Sequence, residues 1–89
     1  IGSGGATATQ ATADGALALG GNATAGAQAT NTDAIAIGGE TKATGLNSIA
    51  IGKGAKQTGS NAEDANNIAF GNNAQNGNTS SGALEGFAG

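Results

Sequence analysis

The sequence contains no cysteine, proline, histidine, tryptophan, tyrosine or methionine, and only two phenylalanines. Without cysteine there is no disulfide framework and no thiolate metal site. Without histidine or cysteine, a Ser-His or Cys-His nucleophile cannot be assembled. The basic residues are three lysines, with no arginine, and the net charge is −3. Such a chain has no basic patch to meet the phosphates of nucleic acid or an anionic membrane surface. No apolar run approaches the ~18 residues of a membrane-spanning helix. No signal-peptide pattern is visible; if the protein is exported, the signal and any anchor lie outside these residues. The large aromatics that anchor most compact cores are almost absent.

What remains is rich in small residues, with 18 glycines in 89 positions. Such a composition fits a flexible linker, but the order of the residues does not. The tetrapeptides Leu17-Ala18-Leu19-Gly20, Ile35-Ala36-Ile37-Gly38, Ile49-Ala50-Ile51-Gly52 and Ile68-Ala69-Phe70-Gly71 repeat one pattern, and Ile1-Gly2 is the remnant of a further copy. Anchored on the second apolar residue, at positions 1, 19, 37, 51 and 70, the intervals are 18, 18, 14 and 19. The 14-residue interval is the bare unit, and the others carry four or five extra residues. Aligned on a second glycine, at Gly26, Gly45, Gly59 and Gly77, the extra length falls after it, in stretches such as Ala27 to Asn31 and Ser60 to Asn66. Ala83-Leu84 is a candidate opening of one more unit. Residues 1–77 are read as the repeat region, and 78–89 as a degraded last coil or the start of another element.

Ile-Ala-Ile bounded by Gly and by Asn, Asp or Ser is a short strand with period-two alternation. A helix is disfavoured, because apolar residues never recur at helical spacing and Gly interrupts each unit. A second short strand is expected over positions such as Gly54 to Thr58. One such unit cannot bury its own apolar face. Stacked units can, each strand hydrogen-bonding to its equivalent in the next coil at ~4.8 Å. The reading is therefore an all-β, single-domain parallel β-roll (a β-solenoid) of 14–19-residue coils. Leu17, Leu19, Ile35, Ile37, Ile49, Ile51, Ile68 and Phe70 are expected to point inward as an aliphatic ladder. Ala23, Ala55 and Ala74 are expected to fill the opposite wall. Gly2, Gly20, Gly38, Gly52 and Gly71 are turn glycines. By alternation Ala18, Ala36, Ala50 and Ala69 then point outward. Exposed strand positions usually carry Thr, Lys, Glu or Gln, so a column of alanine implies a closely approaching surface, read as a contact between chains.

The stretch Asn47-Ser48-Ile49-Ala50-Ile51-Gly52-Lys53-Gly54-Ala55-Lys56-Gln57-Thr58-Gly59 resembles the head repeat of the YadA-like trimeric autotransporter adhesins. That repeat has the form (Asn/Asp)-Ser-(Val/Ile)-Ala-Ile-Gly, then small and polar residues, then Gly. Asp33 to Gly38 and Asn66 to Gly71 are similar to it, and Gly15 to Gly20 more loosely so. The resemblance implies a left-handed roll assembled as a homotrimer and displayed at the bacterial cell surface, outside an outer-membrane anchor. It implies adhesion to host extracellular-matrix proteins or cell-surface receptors, and to sister adhesins in autoaggregation. The 18- and 19-residue units are longer than the family's nominal unit. No coiled-coil stalk, neck or membrane-barrel segment is visible.

No enzyme activity, cofactor or structural metal is expected. Glu63 and Asp64 are adjacent acids in a loop rather than a pair held across a cleft. With Asn61 they form at most a weak oxygen-ligand cation site. Gly2-Ser3-Gly4-Gly5 lacks the Lys-Ser/Thr of a phosphate loop. Gln28, Thr30 and Asn31, with Asn61, Glu63 and Asp64, are the candidate ligand-contact loops. Neither nucleic acid nor direct membrane insertion is expected. Two alternatives stand beside adhesion. One is an ice- or carbohydrate-binding solenoid suggested by the Thr7/Thr9 and Thr30/Thr32 pairs. The other is a structural spacer in a surface fibre.

Overall fold

A computed structural model describes residues 1–2, 5–57, 67–76 and 84–85. Among the described residues, ten short strands form two parallel sheets. The first sheet runs β1 (Gln10–Ala11), β3 (Gln28–Ala29), β5 (Lys42–Ala43), β7 (Lys56–Gln57) and β9 (Gln75–Asn76). The second runs β2 (Leu17–Leu19), β4 (Ile35–Ile37), β6 (Ile49–Ile51), β8 (Ile68–Phe70) and β10 (Leu84–Glu85). The chain alternates between the sheets, so each coil contributes one rung to each and every neighbour is the equivalent strand of the next coil. The described residues contain no helix. The strand at Leu84–Glu85 pairs with Ile68–Ala69, so a rung follows β8 in the region beyond residue 77.

The register is that of a repeat: Ile35 lies opposite Ile49, Ala36 opposite Ala50, Ile37 opposite Ile51, and Gln28 opposite Lys42. Turn glycines stack as well. Gly2, Gly20, Gly38, Gly52 and Gly71 all have positive φ, between 101° and 139°. At Gly52 (φ 118°) an added Cβ would lie 2.6 Å from the Gly71 carbonyl oxygen. This corner therefore excludes side chains both by backbone conformation and by the next coil's approach.

The core reverses the expected faces. Ala36, Ala50 and Ala69 are completely buried and Ala18 nearly so. Leu17 and Phe70 are each 45% exposed, Leu19 is exposed, and Ile35, Ile37, Ile49, Ile51 and Ile68 are half-buried. The eight large residues expected to line the coil thus stand on its outside, and the alanines expected to meet another chain meet the chain's own opposite sheet. The interior is filled from one sheet by Ala18, Ala34, Ala36, Ser48, Ala50, Asn67 and Ala69. From the other side come Ala27, Ala29, Thr41, Ala43, Ala55, Gln57 and Ala74. A 14-residue coil with two tight corners holds its sheets too close for branched side chains; inward isoleucines would be overpacked. The alanine column does lie under a closely approaching surface, but that surface belongs to the same coil and not to another chain. The sequence carried a signal for this: Ala34, Ala36 and Gly38, like Ser48, Ala50 and Gly52, are three small residues at period two.

Buried polar groups serve the corners. Ser48 Oγ donates to the Gly45 carbonyl at 2.6 Å and accepts from its N–H at 3.2 Å. Thr41 Oγ1 donates to the Gly38 carbonyl at 2.8 Å. These bonds remove the desolvation cost of hydroxyls placed among alanines.

In the two 18-residue coils the extra length differs from expectation, while the Ser60 to Asn66 stretch expected to carry that of the 19-residue coil lies outside the described residues. Leu19 to Gln28 spans nine positions where Ile37 to Lys42 and Ile51 to Lys56 span five. The four added residues therefore lie between β2 and β3, around Gly21 to Gly26, and not in Ala27 to Asn31. Ala27 occupies the wall position that Ala23 was expected to fill, and Ala23 is exposed. The preceding coil has the same excess at the same corner. Ala6 N–H donates to the Thr24 carbonyl, and Thr7 bridges Ala25 in parallel. Gly21 and Gly26 close the flap as an antiparallel bridge. Gly26 is a flap closure and not the counterpart of Gly45, which is why alignment on that glycine misplaced the insert.

Candidate functional site

Two sheets packed back to back through small residues leave two outward faces, and these differ in chemistry. On the β2–β4–β6–β8 sheet the outward positions form two apolar columns. One contains Leu17, Ile35, Ile49 and Ile68, and the other Leu19, Ile37, Ile51 and Phe70. Rungs spaced by ~4.8 Å make these columns a continuous ridged surface. Four consecutive coils supply only Leu, Ile or Phe to it. Isolated surface leucines are ordinary, but a contiguous apolar patch marks a contact surface.

On the other sheet the outward column is Gln10, Gln28, Lys42, Lys56 and Gln75. A second polar column follows two residues later, at Thr12, Thr30 and Thr44. Their N–H groups donate in turn to the carbonyls of Ala29, Ala43 and Gln57 in the next coil. Thr44 Oγ1 also donates to the Gln57 carbonyl at 2.9 Å. Among the described residues these two columns present amides, ammonium groups and hydroxyls, and no large apolar side chain.

The corner between the faces carries a small polar network. Glu40 has a left-handed backbone (φ 64°), unusual for its residue type. Its Oε2 accepts from Asn22 Nδ2 at 2.8 Å and lies 3.3 Å from Lys53 Nζ. Asn22 Oδ1 in turn accepts the N–H groups of Thr24 and Ala25, both at 2.9 Å, which holds the flap. The amide donated by Asn22, with Lys53 second, holds the Glu40 carboxyl below the usual carboxylate range.

Of the expected ligand-contact positions, Gln28 is a strand residue of β3 rather than a loop residue, Thr30 follows it on the polar face, and Asn31 forms the next corner. Asn31 Oδ1 accepts from Thr32 N–H at 2.8 Å, and Nδ2 donates to the Thr44 carbonyl at 3.3 Å. Asn31 thus ties two coils together. Asn61, Glu63 and Asp64 lie outside the described residues. Thr7/Thr9 and Thr30/Thr32 do not stack on one another; Thr30 stacks with Thr12 and Thr44. Among the described residues no three acids gather as a metal site, and no helix is long and apolar enough to cross a membrane.

A profile of the family described as YadA head domain repeat (2 copies) matches residues 5–23, 11–28 and 29–55, together more than half of the chain. The chain belongs to the YadA head repeat family. The match covers Leu17-Ala18-Leu19-Gly20 at β2 and the Ile-Ala-Ile-Gly rungs at β4 and β6, so the family pattern and the stacked geometry describe the same residues. Neither the curated proteins nor the solved structures compared with the chain give a match. In this YadA head segment, sequence reasoning missed the lysine column and the Asn22–Glu40–Lys53 corner. The lysine column was within reach: Lys42, Lys56 and Gln75 each stand five positions after an anchor.

Proposed function

We propose that this segment is part of the head of a trimeric autotransporter adhesin. Three copies wind as left-handed rolls and pack their Leu/Ile faces together. The assembly stands at the bacterial surface above an outer-membrane anchor. It attaches to host extracellular-matrix proteins or cell-surface receptors, and to copies on sister cells in autoaggregation. One observation carries the reading: an apolar ladder of Leu17, Leu19, Ile35, Ile37, Ile49, Ile51, Ile68 and Phe70 stands on the outer face of a coil whose own core is alanine.

An alanine-lined interior removes little apolar surface from water per residue, and backbone ordering costs ~1–2 kcal/mol per residue. Covering the exposed ladder against sister chains supplies the missing burial. A rigid, repeated trimer then gains attachment strength from many weak contacts in parallel. The outward polar columns supply those contacts, and the family match supports their use in adhesion.

The experiment joins mass to attachment. Sedimentation equilibrium should give three times the chain mass. The same material should coat collagen, fibronectin or laminin surfaces above an albumin background. A monomer that binds none of them would overturn the proposal. A trimer that binds none, and whose removal from the parent fibre leaves attachment intact, would make it a spacer.

A further inference from the structure

The polar sheet places Lys42 and Lys56 as direct partners in adjacent rungs, on β5 and β7. A third lysine, Lys53, lies at the corner, 3.3 Å from Glu40. Among the described residues neither Lys42 nor Lys56 has a carboxylate within ion-pair distance; Lys56 reaches Glu40 only as a more distant charge. Like charges directly opposite each other in a sheet are destabilising. Among the described residues this stacked pair has no compensating acid on its own sheet: the column continues as Gln28 above and Gln75 below, with Thr30 and Thr44 beside it.

We infer that the Gln28–Lys42–Lys56–Gln75 column, flanked by Thr30 and Thr44, is a docking stripe for a sulfated polysaccharide. The inference rests on the adhesin reading and names a partner class for it. Two ammonium groups one rung apart, ~4.8 Å at the backbone, are placed to bracket a single permanently ionised sulfate. The glutamine amides and threonine hydroxyls continue the stripe with donors and acceptors suited to sugar hydroxyls. Other polyanions match less well. Nucleic acid calls for many phosphate contacts and stacking aromatics, whereas the chain has no arginine, tryptophan or tyrosine. An acidic polypeptide would seat buried apolar or aromatic anchors, and the outward columns of this sheet offer none. An anionic bilayer would want apolar side chains beside the lysines, and those lie on the opposite sheet.

The test titrates the 89-residue chain with a heparin hexasaccharide, its fully desulfated counterpart and a polyglutamate of similar length, by calorimetry at two salt concentrations. The wild type should bind the sulfated probe, more weakly at the higher salt. The Lys42→Gln/Lys56→Gln variant should lose at least about tenfold in affinity, as expected when charge-assisted hydrogen bonds are removed. Lys53→Gln should bind like the wild type. The double variant relieves a like-charge pair, so it should melt no lower than the wild type, which separates lost binding from lost folding. Three results would overturn the inference: undiminished binding by the double variant, equal binding of the desulfated sugar, or polyglutamate bound as well as the sulfated probe. A wild type that coats matrix proteins but ignores the hexasaccharide overturns this inference and leaves the adhesin reading standing. One that binds neither overturns both.

Discussion

Ala50 lies directly opposite Ala36 in the register of β6 and β4, and both are completely buried. Their neighbours Ile51 and Ile37 are also direct partners, yet both are only half-buried. One strand pair thus gives its small side chains to the coil interior and its large ones to the outside.

Enlarging the interior should be costly. Ala50→Leu would add three carbons between Ala36 and Ala69, in a space closed by the opposite sheet. A loss of about 1–3 kcal/mol, the usual range for overpacking and here toward its upper end, is expected. Chemical denaturation monitored by far-ultraviolet circular dichroism measures it. A variant as stable as the wild type would show that the sheets are further apart than the alanines indicate.

The outer ladder should respond in the opposite way. Ile37→Glu/Ile51→Glu puts two carboxylates on the apolar face and nothing into the coil interior. Assembly should fail, with the sedimentation mass falling to that of one chain at micromolar concentration and apparent stability becoming independent of protein concentration. An unchanged native mass would mean that another face joins the chains.

Gly52→Ala combines a positive φ with a Cβ 2.6 Å from the Gly71 carbonyl oxygen. Backbone strain of this kind costs on the order of 1–3 kcal/mol, and the contact adds to it. Thermal melting should show the loss. Equal melting of Gly52→Ala and wild type would mean that this corner opens freely.

Acid should weaken the flap corner. Glu40 has a folded-state pKa lowered chiefly by the Asn22 hydrogen bond and then by Lys53. A depressed carboxylate stabilises the fold above its unfolded-state pKa, and that contribution fades as pH falls through the folded-state value. The wild type should therefore lose stability on acidification below the usual carboxylate range, and Glu40→Gln should flatten that limb, melting below the wild type at neutral pH and converging with it in acid. Parallel melting curves of the two proteins from pH 7 to pH 3 would contradict it. High salt should shrink the Lys53 share, because Lys53 is solvent-exposed.

Much of this architecture was legible in the residues. A large apolar residue, Ala, a second large apolar residue and Gly placed β2, β4, β6 and β8, and the repeat itself required that they stack in parallel. The lysine column was equally legible once positions were counted from the anchors. The insert was not: Gly26 looked like the counterpart of Gly45, and only hydrogen bonds such as Ala6 to Thr24 reveal a two-coil flap at a different corner.

By itself the sequence determined that Ile35 and Ile37 share one face and Ala36 the other, because a strand alternates its side chains with period two. It could not determine which face is inside. Alternation is symmetric between the two choices, and a preference for burying large apolar groups favours the wrong one. The separation of the two sheets decides the matter. Only the closed coil, with both corners in place, brings the opposite wall so near that alanine fits and isoleucine is left outside.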